Sequence, residues 1–467
     1  MTIYIATLGD LTNWFQSDYI IDDKKKAERV YSTVFAYKDV SKIILVVNDS
    51  TIYAKSLKSE PAVTCYKDVV SPPPYNSYLE IQSIVEKYVE CVMSNVENEA
   101  KKYNQIESVL PKLKIISLPA IGTFSMEKNG ITTKFGVIAT SNGTIIPPAR
   151  YYSNLTETLL INSLYEELKK ANEDVVLDIT HGFNYLPTLT FYAIYKLVSL
   201  LGLRLKAINF IPVGKRNDEK GSEIRIYSQV DIVSTTNKEL KFDIDQINEE
   251  KIDNDLNRGI IMTLKYNAPL ALVYFCQLRK EGLNDYYSQF VKAVSIVSIN
   301  EKENEIRIDK EKIKWIESND EIWGDVIADY VCKKVNDLAT KFNCDEGYYD
   351  IKILVKLAEN VFSRFSSISE NIIKNEYSNI YSIVSEIKEP IEKMYSELRK
   401  SNIKTTDYSD TERIKRNYMA HAGLLSEITK IKKTNEGKIC IKYANPLRET
   451  FSAVYGKGSA KLIFDIL

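Results

Sequence analysis

Short apolar strands alternate with helical segments through the first half of the chain, and this alternation limits the fold more than any other feature. Most of these strands are runs of Ile, Val and Leu with few polar positions, which is typical of strands buried on both faces of a sheet. The predicted strands are residues 2–8, 42–47, 113–118, 174–178, 205–211 and 223–232, and the predicted helices are residues 24–38, 78–102, 155–171 and 184–201. The pattern predicts a mostly parallel, doubly wound α/β sheet.

Changes in composition along the chain indicate three regions. Residues 127–148 interrupt the alternation with a Gly- and Thr-rich segment that predicts a β-hairpin. From about residue 235 the chain becomes polar and charged, and helical periodicity then dominates. We therefore predict an α/β domain over residues 1–235, a helical middle segment over 236–345 and an all-α domain over 346–467.

The middle segment leaves two interpretations open. Its helices are followed by two short predicted strands, residues 295–299 and 305–309, on either side of a polar turn. Helices followed by such a hairpin fit a winged-helix-like module, and they fit equally well a connector that positions the flanking domains. A DNA-binding module needs basic residues on the helix before the hairpin, but residues 285–291 offer little positive charge.

Charge and hydropathy exclude several classes of protein. The chain carries 62 basic and 63 acidic residues, a formal charge of −1, which argues against coating of nucleic acid or a polybasic membrane role. No apolar run approaches the 18 residues or so of a membrane span, and the N-terminus lacks the features of a signal peptide. The six cysteines form no CxxC pair, which excludes a zinc ribbon and a thioredoxin-like site. We expect a cytoplasmic protein in a reducing compartment.

The chain contains only two histidines, His181 and His421. Any reaction that needs an imidazole acid or base must use one of these two or one from another subunit. A three-histidine metal site within one chain is therefore excluded. No cluster of acidic residues of the metal-dependent nuclease type stands out either, so we expect no metal cofactor.

The first histidine belongs to the run Asp-Ile-Thr-His-Gly-Phe-Asn at residues 178–184, between a predicted strand and a predicted helix. Gly182 allows the backbone to approach a ligand closely, and Asn184 is a good helix N-cap. Free N–H groups at a helix start bind anions such as phosphate, and Thr180 and His181 add side-chain donors. The alternative is an ordinary loop whose polar residues only cap the helix.

Other loops are expected at the same edge of the sheet, because the carboxyl ends of parallel strands face one ligand crevice. The candidate binding residues in these loops are Gly9, Asp10, Asn13, Trp14, Asn48, Asp49 and Gly122. Together with the loop at residues 178–184 they predict a nucleotide or phosphate pocket. The chain has neither GxGxxG nor a P-loop, so this is not a standard dinucleotide site or a P-loop NTPase.

The second histidine ends the run Arg-Asn-Tyr-Met-Ala-His at residues 416–421, inside a helix predicted over residues 411–425. Asn417 and His421 are i,i+4 neighbours, whereas Arg416 lies about 140° around the helix from His421. Two such helices packed about a twofold axis would bring two Arg, two Asn and two His together, a set suited to attack on an RNA phosphodiester. The alternative is a core histidine that a neighbouring side chain satisfies.

With one histidine in each motif, the chain resembles the type III CRISPR-associated ribonucleases, which join a CARF sensor domain to a HEPN nuclease domain. The resemblance rests on the loop at residues 178–182 and on the R-x4-H helix with Asn417 directly after Arg416, in this order and separation. It extends over the architecture of the whole chain. It implies a Rossmann-like CARF domain over residues 1–235 and a HEPN domain over residues 346–467.

The resemblance also implies a function. The CARF domain would bind a cyclic oligoadenylate, with cyclic tetra-adenylate as the expected ring, across the interface of a homodimer or higher oligomer. The ligand would activate the HEPN domain in antiviral defence as a metal-independent endoribonuclease that cleaves single-stranded RNA and leaves 2′,3′-cyclic phosphates. Arg416, Asn417 and His421 would be catalytic, and no membrane or further cofactor is implied.

A second interpretation belongs to another class of protein. A CARF-type sensor that acts as a transcription regulator would bind DNA through residues 236–345 and use the last domain only to dimerise. It needs a basic recognition helix, whereas the nuclease needs Arg416 and His421, which are present. Degradation of the cyclic ligand by the sensor domain itself is a further activity that the residues leave open.

Overall fold

The protein is divided into two compact units in a computed structural model. The structure describes residues 2–9, 11, 14, 16–21, 25–37, 40–53, 60–71, 73, 75–104, 108–126, 130–141, 143–145, 149–170, 174–182, 185–210, 223–230, 241–280, 282–399, 411–444, 452, 454–456 and 459. The first unit combines Met1–Glu239 with Asp285–Asn319, and the second combines Leu240–Asn284 with Asp320–Leu467. The segment predicted as a separate region, residues 236–345, is thus divided between the two units.

Up to residue 230, groups of strands are separated by helices, and the alternation is less regular than the sequence predicts. The strands are β1 (Thr2–Thr7), β2 (Ser17–Ile21), β3 (Lys25–Val30), β4 (Val40–Asn48), β5 (Leu113–Leu118), β6 (Gly122–Ser125), β7 (Thr132–Thr140), β8 (Gly143–Ile145), β9 (Asp174–Asp178), β10 (Leu205–Phe210) and β11 (Glu223–Val230). The helices are α1 (Glu60–Val69), α2 (Tyr78–Lys101), α3 (Ala149–Leu168) and α4 (Tyr185–Leu201).

Helices dominate the chain after residue 240. They are α5 (Asp255–Lys265), α6 (Pro269–Leu278), α7 (Tyr286–Ala293), α8 (Asp320–Lys341), α9 (Lys352–Asn360), α10 (Ser367–Ser385), α11 (Tyr395–Leu398) and α12 (Thr411–Ala420). The strands are β12 (Val294–Asn300), β13 (Glu303–Asp309), β14 (Tyr349–Asp350), β15 (Ile391–Met394), β16 (Thr429–Lys433) and β17 (Ile439–Tyr443).

The first unit is built on an eight-stranded sheet in the order β3-β2-β11-β10-β9-β1-β4-β5. The run from β10 to β5 is parallel, with Ile5 of β1 between Ile44 of β4 and Leu177 of β9. Those three side chains are at most 1% exposed, because helices cover both faces of a doubly wound sheet. The mostly parallel sheet predicted from the apolar strands is confirmed.

The predicted helix over residues 24–38 is wrong. The chain forms β3 there, which pairs antiparallel with β2 at the edge of the sheet, followed by a short 3-10 helix over Thr33–Ala36. Lysines are frequent in solvated helices, but they are equally typical of edge strands, where they discourage pairing with other chains. The residues of this segment therefore did not decide between a helix and an edge strand.

A second, five-stranded sheet forms within the first unit in the order β12-β13-β7-β6, with β8 paired to β7. The hairpin predicted over residues 127–148 corresponds to β7 and β8. The later hairpin of β12 and β13 joins the same sheet, because β13 pairs in parallel with β7. The hairpin that a winged helix would use as its wing is therefore part of this sheet.

The second unit packs its helices around a core that includes the fully buried Trp323 of α8 and nearly all of α6. It also contains a four-stranded sheet in the order β14-β17-β16-β15, which the prediction of an all-α domain missed. These strands have two to five residues each, and segments this short do not distinguish a strand from a helix by periodicity. The predicted class, α/β followed by a mainly helical region, is confirmed.

All six cysteines are paired in disulfides, Cys65–Cys91 in the first unit and Cys276–Cys332 and Cys344–Cys440 in the second. The partners are 26, 56 and 96 residues apart, so no short sequence motif predicted the pairing. The reducing compartment expected from the sequence usually keeps thiols unpaired, although some hyperthermophiles form intracellular disulfides. Within the described residues, no helix is both long and apolar enough to cross a membrane.

Candidate functional sites

The parallel strands β9, β1 and β4 end at one edge of the main sheet, and four of the predicted binding loops begin there or at the neighbouring β5. Asp178 is the last residue of β9, and Asn48 is the last residue of β4. Gly9 follows β1 by two residues, and Gly122 follows the end of β5 by four. The topology therefore brings these loops to a common crevice, as expected for a doubly wound sheet.

Two of the predicted glycines, Gly9 and Gly182, meet backbone to backbone. A Cβ atom added to Gly9 would lie 3.1 Å from the backbone nitrogen of Gly182. Gly182 has φ +126°, a conformation that side chains rarely adopt, and its own added Cβ would lie 3.0 Å from Pro187 at the start of α4. A side chain at Gly9 would therefore crowd the backbone of the other loop, and a side chain at Gly182 would crowd Pro187 and Thr7.

The loop after β9 is held from below by the buried carboxylate of Asp178. The hydroxyls of Tyr4 and Thr33 both donate to Asp178 Oδ2, and the backbone N–H of Thr180 donates to Oδ1 at 2.8 Å. Burial, and then the charge of Asp178, raises the pKa of Tyr4 well above its usual value, so this hydroxyl stays a donor. Asp178 therefore supports the loop rather than facing the crevice.

His181 lies against an aromatic neighbour from another predicted loop. Its ring centroid is 5.5 Å from that of Trp14, which is 6% exposed, and Thr7 at the end of β1 donates its hydroxyl to the backbone carbonyl of His181. The structure thus brings Gly9, Trp14, His181 and Gly182 together. The sequence reached each of them separately.

Several buried polar atoms near the strand ends have no well-formed hydrogen bond among the described residues. They are the hydroxyls of Ser50, Thr51 and Thr180. Ser50 is 3% exposed and Thr51 is 7% exposed. Native proteins satisfy most buried polar atoms, so a group of unsatisfied ones at a strand edge is what a site built for a polar ligand would show.

Asp49 and Gly122 take different positions from their neighbours. The carboxylate of Asp49 is fully buried, and it accepts hydrogen bonds from the backbone N–H of Ala120 at 2.7 Å and from the hydroxyl of Tyr78 at 2.9 Å. Burial raises the pKa of Asp49 to about 7. Asp49 thus ties the exit of β4 to the exit of β5, and Gly122 is exposed at the start of β6. Asp10, Asn13 and Asn184 lie outside the described residues.

In the second unit, the predicted helix over residues 411–425 ends earlier than the sequence indicates. Helix α12 stops at Ala420, and His421 is the first residue of the turn that follows. Ala422 has φ +52°, and the N–H of Gly423 donates to the carbonyl of Tyr418 at 2.8 Å, so the chain leaves the helix there. The N–H of His421 still donates to the carbonyl of Asn417 at 3.1 Å.

The end of α12 is anchored by the fully buried Tyr418. Its hydroxyl lies 3.1 Å from that of Tyr443 and 2.9 Å from that of Tyr455, and Tyr443 in turn donates to the carbonyl of Gly423. Burial raises the pKa of Tyr418 well above its usual value. Arg416 is exposed on the same helix, and Asn417 is half-buried. The buried tyrosine fixes the helix, so Arg416 and His421 are presented from a rigid support.

His421 contacts a carboxylate that the sequence did not predict. Its Nδ1 lies 2.5 Å from Oε1 of Glu376 in α10, and the Glu376 side chain is 5% exposed while that of His421 is 37% exposed. Glu376 is 45 residues earlier in the chain, and α10 contains one other glutamate, Glu370. No sequence signal distinguishes Glu376 from it as the partner of His421.

The described residues offer acid–base groups and a guanidinium but no cluster of metal ligands. Within the described residues, no group of three or more His, Cys, Asp or Glu side chains is arranged to hold a metal ion. The groups that the second unit offers for chemistry are an imidazole, its carboxylate partner and an exposed guanidinium.

Two family models match the chain. Residues 3–228 match the CARF domain of the CRISPR system endoribonuclease Csx1, and residues 366–446 match the HEPN domain of the same endoribonuclease. The chain belongs to the CARF–HEPN family of CRISPR-system proteins. The CARF match contains the strand edge with Gly9 and Gly182, and the HEPN match contains Glu376, Arg416 and His421.

A curated relative supports the CARF–HEPN assignment over the whole length. The CRISPR system endoribonuclease Csx1 of Methanocaldococcus jannaschii is 24% identical to this chain, and the alignment covers 98% of the chain and 93% of the relative. The family resemblance predicted from the two histidine motifs is thus confirmed. Residues 229–365, between the two family matches, contain the hairpin of β12 and β13 and the helices α5 to α9.

Proposed function

We propose that this CARF–HEPN protein is an endoribonuclease that cleaves single-stranded RNA at Arg416 and His421 and that a cyclic oligoadenylate bound to its first unit activates it. The observation that carries the proposal is the His421 imidazole, which is half-exposed and contacts a buried carboxylate, five residues along the chain from the exposed Arg416. An imidazole moves protons near neutral pH, and a guanidinium stabilises the charge of a phosphorane.

The reaction that these groups support needs no metal. His421 Nε2 takes the proton of a ribose 2′-hydroxyl, the 2′-oxygen bonds to phosphorus, and the bond from phosphorus to the 5′-oxygen breaks. A second acid, the imidazole of another copy in a dimer, protonates the leaving 5′-oxygen. Arg416 stabilises the charge on the phosphoryl oxygens. The products carry 2′,3′-cyclic phosphate and 5′-hydroxyl ends.

The ligand site that we propose is the strand edge of the first unit. A cyclic oligoadenylate presents phosphates and adenines, and the loops at Gly9 and Gly182 let backbone approach the ring closely. The hydroxyls of Ser50, Thr51 and Thr180, which have no hydrogen-bond partner among the described residues, are available to hydrogen-bond phosphate or base. Cyclic tetra-adenylate has twofold symmetry, so it suits an interface between two copies of the chain. We place this dimer in the cytoplasm.

Coupling between ligand and cleavage follows from differential affinity. A ligand activates an enzyme only if it binds the active arrangement more tightly than the inactive one. A 100-fold difference corresponds to about 2.7 kcal/mol, which a small rearrangement of an interface can supply. We assign sensing to residues 1–235 and cleavage to residues 346–467, with residues 236–345 connecting the two.

The experiment that tests the chemistry is RNA cleavage in EDTA by wild type and His421→Ala, with analysis of the product ends. The account predicts cleavage in EDTA, 2′,3′-cyclic phosphate ends and no cleavage by the variant at equal thermal stability. Wild-type rates in the variant, or 5′-phosphate products that need added Mg²⁺, would contradict it.

The shared site is tested by co-expressing wild-type and His421→Ala chains in known ratio. If each active centre needs two histidines, an equal mixture of chains retains about one quarter of the wild-type activity, because only that share of the dimers is fully wild type. If every chain carries its own complete centre, the mixture retains about one half.

A further inference from the structure

The Glu376 carboxylate is almost completely buried, and its principal partner is the imidazole of His421. Its Oε1 lies 2.5 Å from Nδ1 of His421, and its side chain is 5% exposed. Within the described residues, no Lys or Arg forms an ion pair with it. A buried carboxylate without a cationic partner is unfavourable, so its position needs a reason beyond solubility or helix stability.

The surroundings of Glu376 leave it directed at the histidine. Its Oε2 is 3.5 Å from Nδ2 of Asn379, one turn along α10, which is at the limit of a hydrogen bond. Tyr395 is 1% exposed and close enough for its pKa to be raised by the charge of Glu376, after a larger effect of burial. Arg399 lies over the ring of Tyr395, with its guanidinium carbon 5.4 Å from the ring centroid. None of these neighbours replaces His421 as a close donor.

We propose that Glu376 is a positioning residue for the ribonuclease reaction, an inference that rests on the proposed function. It accepts the Nδ1–H of His421 and so selects the tautomer in which Nε2 carries the lone pair. Nε2 is on the far side of the ring from Glu376, and it is therefore the nitrogen available to take the 2′-hydroxyl proton. When the imidazole becomes positively charged, the carboxylate stabilises it, as a buried carboxylate does for the histidine of serine proteases.

The backbone around His421 supports the same geometry. Its backbone N–H donates a hydrogen bond to the carbonyl of Asn417, and its carbonyl accepts one from the N–H of Leu424 at 2.8 Å. The turn is therefore fixed on both sides of His421. The remaining freedom of the residue is rotation of its side chain, which the contact with Glu376 restricts. A catalytic group held in this way loses little entropy when substrate binds.

The test compares Glu376→Gln with a matched control, Glu370→Gln, on the same helix. Glu370 pairs with Lys374 at 2.8 Å on the outer part of α10, so the control removes a carboxylate from the helix without touching His421. We expect Glu376→Gln to lower kcat by about 100-fold or more while KM stays within about threefold, because the substrate-binding surface is intact. The control should stay within about twofold of wild type. Equal kcat values for the two variants would overturn the proposal.

A second measurement, the tautomer of the His421 imidazole in the wild-type protein, does not depend on RNA cleavage. Because the chain has only two histidines, ¹⁵N labelling of histidine gives two imidazole spectra, and His421→Ala identifies that of His421. At a pH that keeps the ring neutral, wild-type His421 should show the Nδ1–H tautomer, and Glu376→Ala should shift it towards a mixture. A wild-type ring protonated on Nε2 would overturn the proposal. If His421→Ala still cleaves RNA, the proposed function fails, and the tautomer still decides the role of Glu376.

Discussion

The two candidate sites of the molecule are prepared in opposite ways. At the strand edge of the first unit, the buried hydroxyls of Ser50, Thr51 and Thr180 have no hydrogen-bond partner within the described residues. At the end of α12, His421 already has its carboxylate partner and a fixed turn. The first arrangement gains hydrogen bonds when a polar ligand arrives, whereas the second is ready before substrate binds. This difference suits a sensor that changes on binding and a catalytic centre that does not.

The comparison predicts that an exposed side chain at the end of α12 can be removed with little loss of stability. Arg416 is exposed, so Arg416→Ala should lower RNA cleavage by about 1000-fold while leaving the unfolding temperature unchanged. Arg279→Ala is the matched contrast, because Arg279 is 6% exposed and bonded to Asp325 at 2.7 Å. It should cost about 3–5 kcal/mol of stability. Cleavage kinetics and urea unfolding measure both, and a large stability loss in Arg416→Ala would break the comparison.

At the strand edge of the first unit, we expect the next largest effect from filling the space beside Gly182. Gly182→Val places a branched side chain where the Gly182 Cβ position is 3.0 Å from Pro187 and where φ is +126°. We expect the affinity for cyclic tetra-adenylate to fall by about 100-fold, because the loop must shift to relieve the contacts with Pro187 and Thr7. Gly143→Val is the control, since Gly143 has φ +114° but no atom within 4 Å of its added Cβ. Calorimetry should separate the two, and equal affinities would remove this loop from the site.

The unsatisfied hydroxyl of Thr180 gives a smaller but sharper test. Thr180→Val keeps the shape and removes a hydroxyl that has no partner among the described residues, so stability should stay equal or rise slightly while ligand affinity falls by about tenfold. Thr33→Val removes a hydroxyl that donates to Asp178, so it should cost about 1–3 kcal/mol of stability. If both variants lose stability equally, the Thr180 hydroxyl is structural and not reserved for a ligand.

Asp49 supplies the smallest effect, a dependence of stability on pH. Burial raises its pKa to about 7, above the ordinary value of 3.8, so between these values the folded protein holds a proton that the unfolded chain releases. Stability from this group is full below about pH 4 and is lost as pH rises towards 7. Between pH 6 and pH 8 the free energy of unfolding should fall by about 1 kcal/mol. Asp49→Asn should abolish that part of the slope in urea titrations, and an unchanged slope would contradict the assignment.

Much of the α/β fold was predictable because fully buried parallel strands leave a clear apolar signal. Strands β5 and β9 have the predicted bounds, Leu113–Leu118 and Asp174–Asp178. The signal failed where tertiary context decides, as in β3 at the sheet edge and in the short strands β16 and β17 of the second unit. Local periodicity carries no information about partners that are distant in sequence.

The same limit applies to the candidate sites. The positions of His181 and His421 followed from the scarcity of histidine and from the residues around them. Glu376 did not, because its contact with His421 depends on how α10 packs beside the end of α12 and not on spacing in the sequence. The disulfide partners, up to 96 residues apart, were invisible for the same reason.

The most direct test of the central claim is the rate of RNA cleavage in EDTA by the intact wild-type protein, with and without cyclic tetra-adenylate. Rings of other sizes and linear oligoadenylates serve as controls for the ligand. The account predicts at least tenfold stimulation by a cyclic oligoadenylate, a loss of that stimulation in Gly182→Val, and no cleavage under any condition by His421→Ala. A wild-type rate that is the same with and without every ring would contradict the claim that the first unit controls the second.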